Sequence, residues 1–95
     1  MQRVVDKLKT FSDIPTIVAG DMNLNPEAAG MRLFDGLLKN LTASHNISST
    51  ISILGKVQGI ACDHILVNDS IRVDGFRVLD DLVSDHTALV LEFDV

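Results

Sequence analysis

Apolar positions follow two rhythms along this chain, a helical one near its start and a β-like one through its second half. From Gln2 to Phe11, Val4, Val5, Leu8 and Phe11 fall on one helical stripe. Asp13-Ile14-Pro15 stops it, because the residue before a proline disfavours the helical region. Thr16-Ile17-Val18-Ala19, closed by Gly20, is an uninterrupted β-favouring run and predicts an interior strand covered on both faces. Asn25-Pro26-Glu27 then announces a second helix: Asn25 can cap free amides, Pro26 suits the first helical position and Glu27 complements the positive helix end. Phe34, Leu37, Leu38 and Leu41 would form its buried face. Gly30 and Gly36 weaken such a helix by about 1 kcal/mol each relative to alanine, so it needs a sheet to pack on.

From Leu41 onward the pattern shortens into β-like segments. A polar stretch, Thr42 to Ser49, precedes an alternation through Thr50-Ile51-Ser52-Ile53 and a loop from Gly55 to Gly59. Asp63 to Val67 reads as a strand with Asp63, Ile65 and Val67 on one face, and Asn68-Asp69 as a turn into a strand from Ile71 to Leu79. The apolar parity of that strand shifts across Gly75, which predicts a bulge there. Thr87 to Val95 carries apolar residues on both faces and predicts a core strand. No repeat, low-complexity tract or linker divides the chain, so residues 1–95 are expected to form one unit.

Composition narrows the class. Ninety-five residues with 46% apolar and 22% charged side chains describe a globular chain with a thin core. A net charge of -5 and a pI near 4.8 argue against a broad basic surface for a polyanion, and favour substrates that are small or bridged by a metal ion. No apolar run approaches the roughly 20 residues that span a bilayer. The lone Cys62 excludes an internal disulfide; it leaves the compartment open, with the cytoplasm favoured.

Three groups of residues can carry chemistry. Asp21 and Asn23 stand where a strand gives way to a helix, so they can present a carboxylate base and an orienting amide, or simply satisfy turn amides. Ser84-Asp85-His86 precedes the last strand; Asp85 can be a hard oxygen ligand and His86 can change protonation near neutral pH, although Ser-Asp also makes ordinary turns. Asp63 opens a largely apolar strand and needs a partner, with His86, Lys56, Arg72 or a loop amide as candidates. His45, His64 and Cys62 invite a zinc reading, but their spacing matches no structural zinc pattern and packing explains them more simply.

Taken in order, Ile17-Val18-Ala19-Gly20-Asp21-Met22-Asn23, Cys62-Asp63-His64-Ile65-Leu66-Val67 and Val83-Ser84-Asp85-His86-Thr87-Ala88-Leu89 resemble the C-terminal part of the endonuclease/exonuclease/phosphatase superfamily, the deoxyribonuclease I-like hydrolases. The resemblance implies an α/β fold, a mixed β-sheet with two helices on one face, corresponding to one half of a four-layer sandwich. It implies a metal-dependent phosphoesterase using Mg²⁺, or Mn²⁺, on a nucleic acid, a phospholipid headgroup or a small phosphoester. Asp21 would activate the attacking water, Asn23 hold the phosphate, Asp85 ligate the metal, His86 contact the scissile phosphate and Asp63 orient His86.

Met22 and His64 stand where that family prefers aromatics, and Ala88 where it has proline. The family's N-terminal half, with its principal metal-binding glutamate, has no counterpart, and Glu27 and Glu92 are the only glutamates. A partial domain, inactive alone and self-associating through an exposed sheet face, is the expectation. A non-catalytic binding or assembly module with the same fold is the alternative.

Overall fold

A computed structural model of the chain describes residues 2–11, 13–52, 54, 59–79 and 84–95. Ile53, most of the Gly55 to Gly59 loop, Lys56 and Val83, which the sequence reading invoked, lie outside the described residues. The opening stripe forms α1, Gln2–Lys9, with Val5 buried and Leu8 half-buried. Lys7 and Lys9 in its last turn complement the negative helix end. Val4 and Phe11 stay exposed, so the buried stripe is narrower than the periodicity suggested.

The Thr16 to Gly20 run becomes β1, Ile17–Asp21. It pairs antiparallel with β3, Asp63–Val67, from Ile17 opposite Val67 to Asp21 opposite Asp63. The short β2, Lys39–Asn40, takes the other side of β3, giving the order β1-β3-β2. β1 is therefore an edge rather than the expected interior strand. Only Val18 turns into the core, because among the described strands just one neighbour covers β1.

The expected long second helix is not formed. Only α2, Ala29–Arg32, is helical, and turns follow to Leu37. Gly36, at φ +82°, takes a left-handed conformation that ends helical continuation, and Asn25 does not cap α2; its Oδ1 accepts from the Ala61 amide at 3.0 Å. The polar stretch after it instead holds a one-turn helix, α3, Leu41–Ser44, capped by the Asn40 side chain.

β4, Arg72–Leu79, and β5, Ala88–Asp94, pair antiparallel, and their register slips between Val73 and Gly75, leaving Asp74 as the extra residue of the predicted bulge. β5 is not a core strand: its partner among the described strands is β4, and Phe93 is exposed.

The fold is α/β-like; among the described residues the sheets are small, the helices few, and two antiparallel sheets stand where one mixed sheet was expected. The reason lies in β3, which is apolar both ways. Leu66 packs with Val5, Met31 and Phe34 on the side of α1 and α2. Val67 packs with Leu41 and Ile71, and Ile65, Val73, Phe76 and Leu91 close that cluster on the side of β4 and β5. A strand buried on both faces demands cover on both, and the β4–β5 ribbon supplies the second cover.

Candidate functional site

The antiparallel register brings Asp21, at the end of β1, opposite Asp63, at the start of β3. The next pair outward is joined by the Met22 amide donating to the Cys62 carbonyl at 2.8 Å. Asp21 and Asp63 thus occupy a non-hydrogen-bonded position, where opposed side chains come closest. Two facing carboxylates repel. The His86 ring lies between them, with Nδ1 2.7 Å from Asp63 Oδ2 and Nε2 3.8 Å from Asp21 Oδ2. The hydrogen bond to Asp63 is the chief cause of a His86 pKa raised above the ordinary 6.5; partial burial opposes it, and the charges of Asp63, Asp21 and Asp85 add to it.

Buried hydroxyls hold this pair in place. Thr50 is fully buried, and its Oγ1 accepts from the amides of Cys62 and Asp63, each at 3.1 Å. The Thr42 hydroxyl, equally buried, donates to the Asp63 carbonyl at 3.1 Å. The same Thr50–Ser52 segment anchors the His86 turn. Thr87 donates its amide to the Thr50 carbonyl at 2.8 Å, Ser52 donates its amide to the Asp85 carbonyl at 2.7 Å, and Ile51 forms an isolated antiparallel bridge with His86. One segment therefore fixes the backbones of both Asp63 and His86. Sequence reasoning missed Thr42, Thr50 and Ser52, since a hydroxyl in a β-like alternation carries no sign of whether it faces solvent or two orphan amides.

Asp21 divides its two oxygens. Oδ1 accepts from the Asn23 amide at 3.0 Å, closing a turn in which Asn23 takes a left-handed φ of 53°, a conformation asparagine tolerates; Oδ2 faces His86. One carboxylate thus both closes the turn and faces the imidazole. Asp85 is exposed, and its Oδ1 accepts from the Ser84 hydroxyl at 3.1 Å. Among the described residues, the three His, Cys, Asp or Glu ligand atoms that lie within 4.8 Å of one another belong to Cys62, Asp63 and His86, without Asp85.

The other histidines are engaged elsewhere. His64 is 1% exposed; Asn40 Nδ2 donates to its Nδ1 at 3.2 Å and its Nε2 donates to the Leu24 carbonyl at 2.6 Å. His45 donates from Nδ1 to the Leu41 carbonyl at 3.1 Å and its ring tilts against Phe76. The combination of His45 and His64 with Cys62 is thus not assembled as a zinc site among the described residues. Burial, helped by the charges of Asp63 and Asp21 and opposed by the Thr50 hydroxyl, pushes the Cys62 thiol pKa up.

A shallow open cleft of about 220 Å³ lies against Asp21 and Asp63, with Ala19, Ile65, Thr87 and Leu89 in its walls. The Thr87 hydroxyl is buried and has no hydrogen-bond partner among the described residues. The site thus brings two carboxylates and an imidazole together beside this cleft. No described helix is long and apolar enough to cross a membrane. A model of the Endonuclease/Exonuclease/phosphatase family matches residues 2–86. Neither the curated proteins nor the solved structures compared with the chain gave a match.

Proposed function

Because the chain belongs to the endonuclease/exonuclease/phosphatase family, hydrolases of phosphate esters, we propose that it supplies part of a site at which water attacks a phosphoester in line. What carries this reading is His86 lying between Asp21 and Asp63, two carboxylates that also line an open cleft. Asp63 accepts the Nδ1 proton and so fixes the ring, leaving Nε2 to face the substrate side. The 3.8 Å between Nε2 and Asp21 Oδ2 is too long for a direct hydrogen bond. An oxygen roughly 2.8 Å from both atoms closes that triangle, so a water or phosphoryl oxygen fits between them. Asp21 then takes the proton of the attacking water, and His86, positively charged when protonated, stabilises charge developing on the phosphate. Asn23, two residues beyond Asp21, holds the phosphate.

Exposed carboxylates suit Mg²⁺, or Mn²⁺, which keeps several waters and needs only one or two protein carboxylates; the exposed Asp85 would hold it. Such an ion, when bound, neutralises charge on the phosphoryl oxygens. Glu92 is paired with Arg77 on the β4–β5 ribbon, and neither it nor Glu27 belongs to the cluster around His86. We read the chain as the C-terminal part of its domain, one half of a four-layer sandwich, and as inactive or nearly so by itself. The exposed apolar side chains of Ile17, Phe93 and Val95 support self-association. A purely monomeric species in concentrated sedimentation runs would contradict that.

The test is hydrolysis of bis(para-nitrophenyl) phosphate by the purified chain with Mg²⁺. Weak, metal-dependent turnover that disappears in His86→Ala is the expected result. Fast turnover lost in the same variant would keep the site and overturn the claim of partial equipment. Turnover that survives His86→Ala would overturn the site. No Mg²⁺ binding at all would favour the non-catalytic module.

A further inference from the structure

We propose that Cys62, Asp63 and His86 form a binding site for a thiophilic divalent cation, zinc above all, and that its occupancy shuts the site down. The inhibitory half of this statement rests on the hydrolytic reading given above; the binding half does not.

The geometry comes first. Cys62 Sγ, a carboxylate oxygen of Asp63 and a ring nitrogen of His86 lie within 4.8 Å of one another. Four-coordinate zinc, with bonds of about 2.0 to 2.3 Å, spaces its ligand atoms about 3.5 Å apart. Cys62 Sγ and Asp63 Oδ2, at 3.8 Å, already stand near that spacing. His86 Nδ1 and Asp63 Oδ2, at 2.7 Å, must open by less than about one ångström, which a side-chain rotation provides. Cys62 is buried and His86 has a side-chain exposure of 32%, so an ion would be reached from the His86 side.

The donor set decides which cation. One sulfur, one nitrogen and one oxygen suit zinc and match poorly with Mg²⁺, which takes oxygen ligands. The surroundings agree with this choice. A metal on Nδ1 leaves the ring proton on Nε2, and Nε2 faces the Asp21 carboxylate, the kind of outer partner that orients metal-bound histidines. Protons balance simply: the thiol releases one to solvent, and an imidazolium releases its Nδ1 proton as well. Neutral His86 releases none, since its single proton moves to Nε2.

The consequence for chemistry is direct. The hydrogen bond that orients His86 through Asp63 is replaced by bonds from both residues to the ion. Asp63 no longer accepts the Nδ1 proton, and Nε2 is recruited to Asp21 instead of substrate. A site served by hard carboxylates for Mg²⁺ would thus be switched off by a thiophilic cation held by Cys62, Asp63 and His86.

Cobalt(II), a spectroscopic substitute for zinc, tests this on the full chain in Mg²⁺-containing buffer. Expected is a thiolate-to-cobalt charge-transfer band that saturates at one equivalent and is erased by zinc. Cys62→Ser should lose that band, and Asp63→Asn should weaken binding more than about tenfold. His86→Gln, which leaves the thiol in place, should weaken it comparably and guards against a Cys62→Ser chain that fails to fold. No thiolate band in the wild type, or full affinity in His86→Gln, overturns the site. Zinc should abolish Mg²⁺-dependent phosphodiester turnover. A cobalt band with turnover indifferent to zinc overturns the inhibition alone. A cobalt band in a chain without turnover removes the hydrolytic reading, and the inhibition with it, but leaves the binding site standing.

Discussion

The two faces of β3 each present a histidine to a different world. On the helix side, His64 is 1% exposed and both ring nitrogens are taken by neutral partners, the Asn40 amide and the Leu24 carbonyl. On the ribbon side, Asp63 meets His86, whose ring lies between two carboxylates and keeps a side-chain exposure of 32%. The residue type is the same. A ring whose donors and acceptors are satisfied by neutral groups in a sealed space ties loops to a core. A ring held on one side by a carboxylate, partly exposed and with its other nitrogen facing a second carboxylate, can take and give charge.

The comparison breaks most visibly at Asp21. Asp21→Asn removes the proposed base from the open face while Asn23 can keep its turn. The weak Mg²⁺-dependent hydrolysis should fall to background in a phosphodiester assay, with unfolding free energy changed by no more than about 1 kcal/mol. Loss of folding with intact specific activity would invert the assignment of faces.

Next in size is the sealed face. His64→Ala opens a cavity and strands the Leu24 carbonyl and the Asn40 amide, so urea unfolding should show about 2 to 4 kcal/mol of destabilisation. A near-neutral result would mean that the His64 bonds do not hold the Leu24 and Asn40 segments against the sheet.

Smaller effects sharpen the electrostatic half. Asp63→Asn removes the chief cause of the raised His86 pKa, so the NMR titration midpoint of that ring should move down toward 6.5. The sign for stability follows from a folded-state pKa above the unfolded one. The His86 contribution is fully present below about 6.5 and is lost as pH rises through the higher folded value. The stability advantage of wild type over His86→Asn should shrink across that window; an advantage that grows with pH would reverse the assignment. The least change is expected on the ribbon, where Arg77 and Glu92 form an ion pair with more than half of each side chain exposed. Arg77→Ala should alter stability by about 0 to 1 kcal/mol, less still in high salt.

Much of this was legible in the chain, and the illegible parts share a cause. Asp63 to Val67, the Asn68-Asp69 turn and the slip at Gly75 were readable because parity and turn chemistry are local signals. His86 was one of several partners the residues allowed for Asp63, but Asp21 joined them only through the resemblance, since nothing local at residue 21 reports on residue 86. The second helix misled because Phe34, Leu37, Leu38 and Leu41 keep helical spacing although the chain turns at Gly36, and Leu41 serves the opposite face of the sheet from Phe34. β1 and β5 misled because continuous apolar runs do not say how many faces find cover. Asn40 went unread because it works twice, as the cap of α3 and as the partner of His64, and both tasks depend on tertiary placement.

The most direct measurement is an NMR titration of the isotope-labelled chain with Mg²⁺ and inorganic phosphate together, following backbone amides and histidine rings. Saturable shifts concentrated at Asp21, Asn23, Asp85 and His86, with Leu24, Asn40 and His64 nearly still, are the expected result. Shifts centred on the helix side of β3, or none at high ligand concentration, would contradict a phosphate and metal site at the rim where Asp21 faces His86.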